Sequence, residues 1–178
     1  HKRLLRDCFA SLAMTTEIFI DATQRAQAIG LQIAIEHMRR RKPHTTGVAI
    51  WQLNDCWPSI SWSVIDYYGT PKCAYAELQQ LYSPVLASFD YSMMPRRAGE
   101  IVRGNLWLIN DWRTAFENVE LRAELNGQET YSRRVNLAPD SSEKIDALAV
   151  TLGEGENILR LIVRDGAHEP LIDAVKKL

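Results

Sequence analysis

The sequence predicts an α+β chain in two parts: helices with a single strand over residues 1–88, and an antiparallel β-sandwich of immunoglobulin-like type over residues 89–178. Three observations carry this reading. Apolar residues recur at helical spacing in the first part, they alternate with a period of two in the second, and the period changes around residues 88–95. The composition agrees: 178 residues with 46% hydrophobic and 24% charged positions can bury a core, unlike disordered, collagen-like or coiled-coil sequences. Twenty-one Lys and Arg nearly cancel 22 Asp and Glu, so no net field draws the chain to a polyanion or an anionic membrane surface. Neither nucleic acid nor membrane is expected as a partner. No apolar run reaches the roughly 18 residues of a membrane helix, and residues 1–7 lack the apolar stretch of a leader. The missing initial Met predicts a piece cut from something longer.

Taken in order, the first element is a helix over 17–41. Ala22, Ala26, Ile29 and Ile33 step by four, three and four, which predicts one buried stripe. Arg39, Arg40, Arg41 and Lys42 close this helix, where cations complement its dipole, and Pro43 turns His44 into a loop residue. Gly47-Val48-Ala49-Ile50-Trp51 is a short unalternating apolar run, as expected of a strand covered on both faces in a parallel sheet. A second helix over 74–81 ends before Pro84. Beyond Pro95, Val119, Leu121, Ala123 and Leu125 face one way and Glu120, Arg122 and Glu124 the other, the pattern of a half-buried strand. Asn126-Gly127 then predicts a tight hairpin. Further strands are expected over 101–110, 130–137, 145–152, 158–164 and 171–175. This spacing suits a sandwich able to fold on its own from about residue 101.

Cys8, Cys56 and Cys73 are odd in number and widely spaced, so buried reduced thiols are expected and no disulfide, zinc or thiol-exchange site. His1, His37, His44 and His168 are scattered, and no metal or cofactor is expected. No Asn starts a glycosylation sequon, which together with the thiols predicts a cytoplasmic location. A leader removed from a longer parent would leave no trace here. Ser141-Ser142-Glu143-Lys144 has a Ser-x-x-Lys spacing without the companion segments of serine acyl enzymes, and is expected to be a charged loop. Gly153-Glu154-Gly155 lacks the third glycine and the strand-to-helix setting of a nucleotide loop, and is expected to be a turn.

The segment Trp51-Gln52-Leu53-Asn54-Asp55-Cys56-Trp57-Pro58-Ser59-Ile60-Ser61-Trp62 holds three of the five Trp. From the residues alone, Trp51, Trp57 and Trp62 are either core residues of a tight loop or rings able to stack on sugar faces, with Asn54 and Asp55 placed to hydrogen-bond hydroxyls. This stretch, its continuation through Tyr67-Tyr68-Gly69-Thr70-Pro71-Lys72, and the following 74–86 helix region resemble the end of the catalytic barrel in family-two glycoside hydrolases of the β-mannosidase branch. The upstream helix, with Gln24, Gln27 and its Ile35-Glu36-His37-Met38-Arg39-Arg40 ending, is similar to the last-but-one barrel helix of that branch. The second half resembles the sandwich domain behind such barrels only in strand rhythm and position.

This resemblance implies that residues 1–88 are the terminal helices and last strand of a (β/α)8 barrel, and that the parent removes terminal β-mannose by retaining hydrolysis. Two carboxyl groups about 5 to 5.5 Å apart are needed for that. In the family both are glutamates on earlier barrel strands, outside this chain, so the chain alone is expected to be inactive, with no catalytic residue of its own. The resemblance gives Trp51 the floor of the terminal-sugar subsite and Asn54, Asp55 and Trp57 its rim. The implied partner is a β-mannoside or related glycan, and the truncated barrel half is expected either to self-associate through residues 1–88 or to be held against the sandwich in a non-barrel arrangement. Two other readings stay open: a non-catalytic carbohydrate-binding or structural sandwich module, and a related branch acting on β-glucosaminides or β-galactosides.

Overall fold

The structure, a computed structural model, describes residues 16–167 and 169–178. The expectations for residues 1–7, Cys8 and His168 lie outside the described residues. The chain divides into two compact units, one built from residues 16–33 and 50–78, the other from 34–49 and 79–178. No helix among the described residues is long and apolar enough to cross a membrane.

Helix α1 (Thr16–Arg40) carries Glu17 in its first turn and His37, Arg39 and Arg40 in its last, charges that complement the helix dipole at both ends. Its covered face differs from the expected one. Ile29 and Ile33 are each 46% exposed, and Ala22 and Ala26 are exposed too. The covered positions include Gln24, Gln27, Ala28, Leu31 and Ile35, which fall on the opposite side of the helix and mix amides with apolar groups. Helix α2 (Cys73–Leu81) follows, and Gln24 Oε1 accepts the otherwise unpaired Cys73 N–H at 3.0 Å, which satisfies one of the orphan donors of its first turn.

The expected strand over 48–51 is absent: residues 45–50 are irregular, Ile50 is only partly covered and Trp51 is exposed. A strand needs neighbours for its N–H and C=O groups, and no strand pairs with this run among the described residues; the Val48 carbonyl instead accepts the Tyr82 hydroxyl at 3.0 Å. The isolated bridges Asn54–Ile65 and Ile65–Pro71 stand in its place.

The second unit holds seven strands. β1 (Val85–Tyr91), β2 (Ile101–Asn110), β3 (Phe116–Leu125), β4 (Gln128–Leu137), β5 (Ser141–Thr151), β6 (Ile158–Arg164) and β7 (Pro170–Lys177) form two antiparallel sheets, ordered β1-β2-β5 and β4-β3-β6-β7. Alternation builds the core between them. Leu106, Leu108 and Val102 of one sheet join Val119, Leu121, Ala123, Leu159, Leu161 and Val163 of the other in one buried cluster. Asn126 and Gly127, with φ of 52° and 81°, make the β3–β4 hairpin as the Asn-Gly pair predicts. Gly104, opposite Tyr91, is required by close approach, since a Cβ there would lie 2.6 Å from Asp90 O and from the Phe89 ring. The 153–155 turn forms as expected around buried Asn157, whose Oδ1 accepts Gly153 N–H at 2.8 Å. Ser141 to Lys144, by contrast, open strand β5 and are not a loop.

β1 was not legible as a strand. Its first five residues, Val85, Leu86, Ala87, Ser88 and Phe89, are all buried, so it shows no alternation. The reason lies on its second face, where Ser88 Oγ donates to Glu36 at 2.7 Å and accepts from Arg40 at 2.6 Å. Glu36 in turn pairs with Lys176 of β7, and all three groups are buried. Three residues of the basic run, Arg39, Arg40 and Lys42, are also engaged within this unit, while Arg41 is exposed. Arg39 reaches Asp111 at 2.7 Å and the Leu81 carbonyl, Arg40 reaches Asp90 at 3.0 Å, and Lys42 pairs with Asp111 at 2.6 Å and with Asp140. These side chains hold the end of α1 and Lys42, two residues beyond it, within this unit, so Arg39, Arg40 and Lys42 have structural partners.

Candidate functional site

The aromatic segment lies in the first unit as an irregular loop, held by its own backbone. Asp55 N–H donates to Ile65 O at 3.1 Å, Val64 and Ile65 N–H both donate to Leu53 O at 3.1 and 2.9 Å, and Lys72 N–H donates to Val64 O at 2.9 Å. Gln27 of α1 donates to the carbonyls of Trp62 at 2.6 Å and Ser63 at 3.2 Å. The amide face of the helix is thus a fastening for the loop, which accounts for glutamines on its covered side. The Lys42–Pro43 and Trp51–Gln52 peptide bonds are cis.

Beneath the rings sits a small polar cluster. Asp55 is buried and accepts from Ser61 Oγ and from Lys72 Nζ at 3.3 Å. Lys72 also donates to Ser63 Oγ at 2.9 Å, and Ser63 donates onward to Ile65 O at 2.9 Å. The Ser61 hydroxyl first, then Ser63 and Lys72, hold the Asp55 carboxyl below the usual carboxylate range. Asp66 has a comparable backbone duty, accepting Tyr68 and Thr70 N–H at 2.9 and 2.7 Å. Both carboxylates of the loop are therefore occupied in shaping it.

The four residues expected at a sugar subsite separate by burial. Trp51 is 75% exposed and Trp57 72% exposed, and Asn54 is exposed with its side-chain amide donating to Asp55 O at 3.4 Å. Asp55 lies inside, paired with Lys72. The reading of Trp51, Trp57 and Trp62 as loop-core residues fails, since all three are exposed; the interior is filled by Asp55, Ser63 and Val64 instead. Cys56 and Cys73 are free but exposed, not buried as expected, because one sits on the surface of the loop and the other opens α2. Sequence reasoning missed Lys72, Ser61 and Ser63. Only the Lys72 charge close to a Ser-rich run hinted at them, with no spacing rule to join Asp55 to a residue 17 positions on.

In chemical terms, this unit offers broad ring faces on a backbone fixed by hydrogen bonds, a surface suited to apolar stacking with polar edges. Its loop carboxylates, Asp55 and Asp66, are both engaged in hydrogen bonds within the loop. Among the described residues no group of three or more His, Cys, Asp or Glu could hold a metal ion.

No family model matches the chain. Relatives do. A β-mannosidase B of Aspergillus niger is 33% identical over 119 residues, 62% of this chain and 14% of that protein. A β-mannosidase B of Emericella nidulans is 27% identical over 173 residues, 92% of this chain and 20% of that protein. In fold, the chain is similar to the β-D-mannosidase of Dictyoglomus thermophilum, with a TM-score of 0.69 and 23% identity over 85% of this chain and 18% of the other. It is similar too to the exo-chitosanase of Amycolatopsis orientalis, with a TM-score of 0.71 and 20% identity over 91% of this chain and 19% of the other. The chain thus spans between a seventh and a fifth of the length of these relatives.

Proposed function

We propose, from the premise that this chain is part of a family-two glycoside hydrolase of the β-mannosidase branch, that the part of the chain before strand β1 closes the catalytic barrel of a retaining β-mannosidase and that β1 to β7 form an immunoglobulin-like sandwich following it in sequence. The parent hydrolyses terminal β-mannosidic bonds. This segment contributes rings to the terminal-sugar subsite, Trp51 as its floor with Trp57 and Asn54 at the rim, while Asp55 acts from below by holding the loop in shape.

The observation that carries the reading is the exposure of Trp51 on a loop whose backbone is fastened on both sides. A large ring left open to water costs solvation unless a ligand or another surface covers it, and its stacking geometry is useful only if the ring is held still. The two catalytic glutamates belong to segments outside this chain, so the chain by itself turns over no aryl β-mannoside. Left alone, it self-associates through the open part of its first unit.

The test is Trp51→Ala in a full-length enzyme carrying this segment. It lowers kcat/KM for an aryl β-mannoside by a few kcal/mol of transition-state stabilisation, on the scale of losing an aromatic anchor. Unchanged kcat/KM in a folded variant reassigns Trp51 to packing.

A further inference from the structure

The irregular run after α1 borders a cavity of about 230 Å3 whose lining residues all belong to the second unit and none to the aromatic loop. Met38, Val48 and Tyr82 supply apolar lining, and the Tyr82 hydroxyl is fixed by donating to the Val48 carbonyl at 3.0 Å. Thr45, Thr46 and Asp111 supply hydrogen-bonding groups. Among the described residues the hydroxyls of Thr45 and Thr46 have no partner. Gly47 is exposed at the cavity, and a Cβ added to it would meet no atom within 4 Å.

The charge of the lining selects the ligand. Arg39 pairs with Asp111 at 2.7 Å, and Lys42 pairs with Asp111 at 2.6 Å and with Asp140, so two cations balance two carboxylates. The Arg39 and Lys42 side chains are only 9% and 17% exposed. An anionic ligand would draw one of them from Asp111, and a cationic ligand would draw Asp111 from them. Either leaves a charge short of its partner where water is scarce. A neutral hydroxyl both donates and accepts, so it adds to Asp111 and the threonines without breaking a pair. The volume falls below the roughly 300–1,000 Å3 of sites for drug-sized ligands, which limits the occupant to a small molecule. Hydroxyls around an apolar face are the chemistry of a sugar ring, which an aromatic ring can cover. We propose that this cavity binds a neutral monosaccharide, held by the Thr45 and Thr46 hydroxyls and the Asp111 carboxylate. The inference needs neither the Trp51 subsite nor the activity of the parent.

The experiment titrates the full chain with D-mannose and follows amide hydrogen exchange by mass spectrometry. Saturable protection of residues 42–48 is expected, with a Kd in the millimolar range. D-glucuronate and D-glucosamine, of similar size but anionic and cationic at about pH 6, bind there at least tenfold more weakly. Gly47→Leu, which fills open space, weakens the protection at least tenfold. If that variant does not fold, Thr46→Val decides, since it keeps the shape of the side chain and removes only the hydroxyl; it weakens binding at least threefold. No saturable protection, protection confined to residues 51–62, equal binding of the charged sugars, or a folded Gly47→Leu chain that binds D-mannose as tightly as before would each overturn the proposal. Because exchange is read segment by segment, a failure here leaves the reading of the aromatic loop to stand or fall on its own test.

Discussion

In the second unit each face of alternating apolar residues finds another sheet, and Leu108, Leu121 and Leu161 have no exposed surface. In the first, the apolar stripe of α1 and the rings of the 51–68 loop lie open, while glutamines, serines and a lysine do the holding. The two units are therefore stabilised by different means. Burial is non-directional and sums over many contacts. A net hydrogen bond adds only about 1 kcal/mol but fixes geometry, so the first unit trades stability for a defined surface.

The largest way to break this contrast is to remove β1. Burying Val85, Leu86 and Phe89 is worth about 1.5–3 kcal/mol each, which in sum rivals the 5–15 kcal/mol of a whole domain. A chain beginning at Pro95 therefore fails to fold, although the sequence placed an independent sandwich from about residue 101. Far-UV circular dichroism and a thermal melt decide it, and a cooperative transition in the truncated chain refutes the claim. Next in size is Glu36→Ala, which strands Lys176 without its buried partner and costs about 3–5 kcal/mol. Replacing both residues by apolar ones of similar volume costs much less, so a double-mutant cycle in urea separates the pair from its desolvation.

Leu161→Ala sharpens the comparison further, with an expected loss of about 2–5 kcal/mol, against a change within about 0.5 kcal/mol for exposed Trp57→Ala. Equal effects on the urea midpoint would erase the distinction between the units. A local effect of pH comes between these in consequence. Because the Asp55 carboxyl is held below its ordinary range, its contribution is complete above the unfolded value of about 3.9 and disappears as pH falls through the lower folded value. As pH falls through that lower value the amides of Asp55, Val64 and Ile65 lose hydrogen-exchange protection, while those of β3 and β6 keep theirs.

How far the sequence could be read follows the same division. Strands over 101–110 and 158–164 appear with the expected limits, and Asn126-Gly127 makes its hairpin, because alternation and turn chemistry are local. β1 escaped because both its faces are covered, one of them by Glu36 and Arg40 from about fifty positions earlier. The stripe of α1 was read correctly as apolar and wrongly as buried, since periodicity shows which residues share a face but not whether anything covers it. The aromatic loop was legible as a candidate surface. Its inner cluster was not: Asp55, Ser61, Ser63 and Lys72 meet only through an irregular path that no period describes.

The pairing of Glu36 with Lys176 spans 140 positions. A ribosome adding roughly 5–20 residues per second exposes the glutamate on the order of ten seconds before its lysine exists. During that interval the end of α1 has Arg40 and Ser88 for company but lacks the counter-charge that balances its burial. The strand that carries Lys176 therefore completes the end of a helix made long before it, and synthesis halted short of residue 176 yields a chain whose sheets can pair but whose helix end has not been locked.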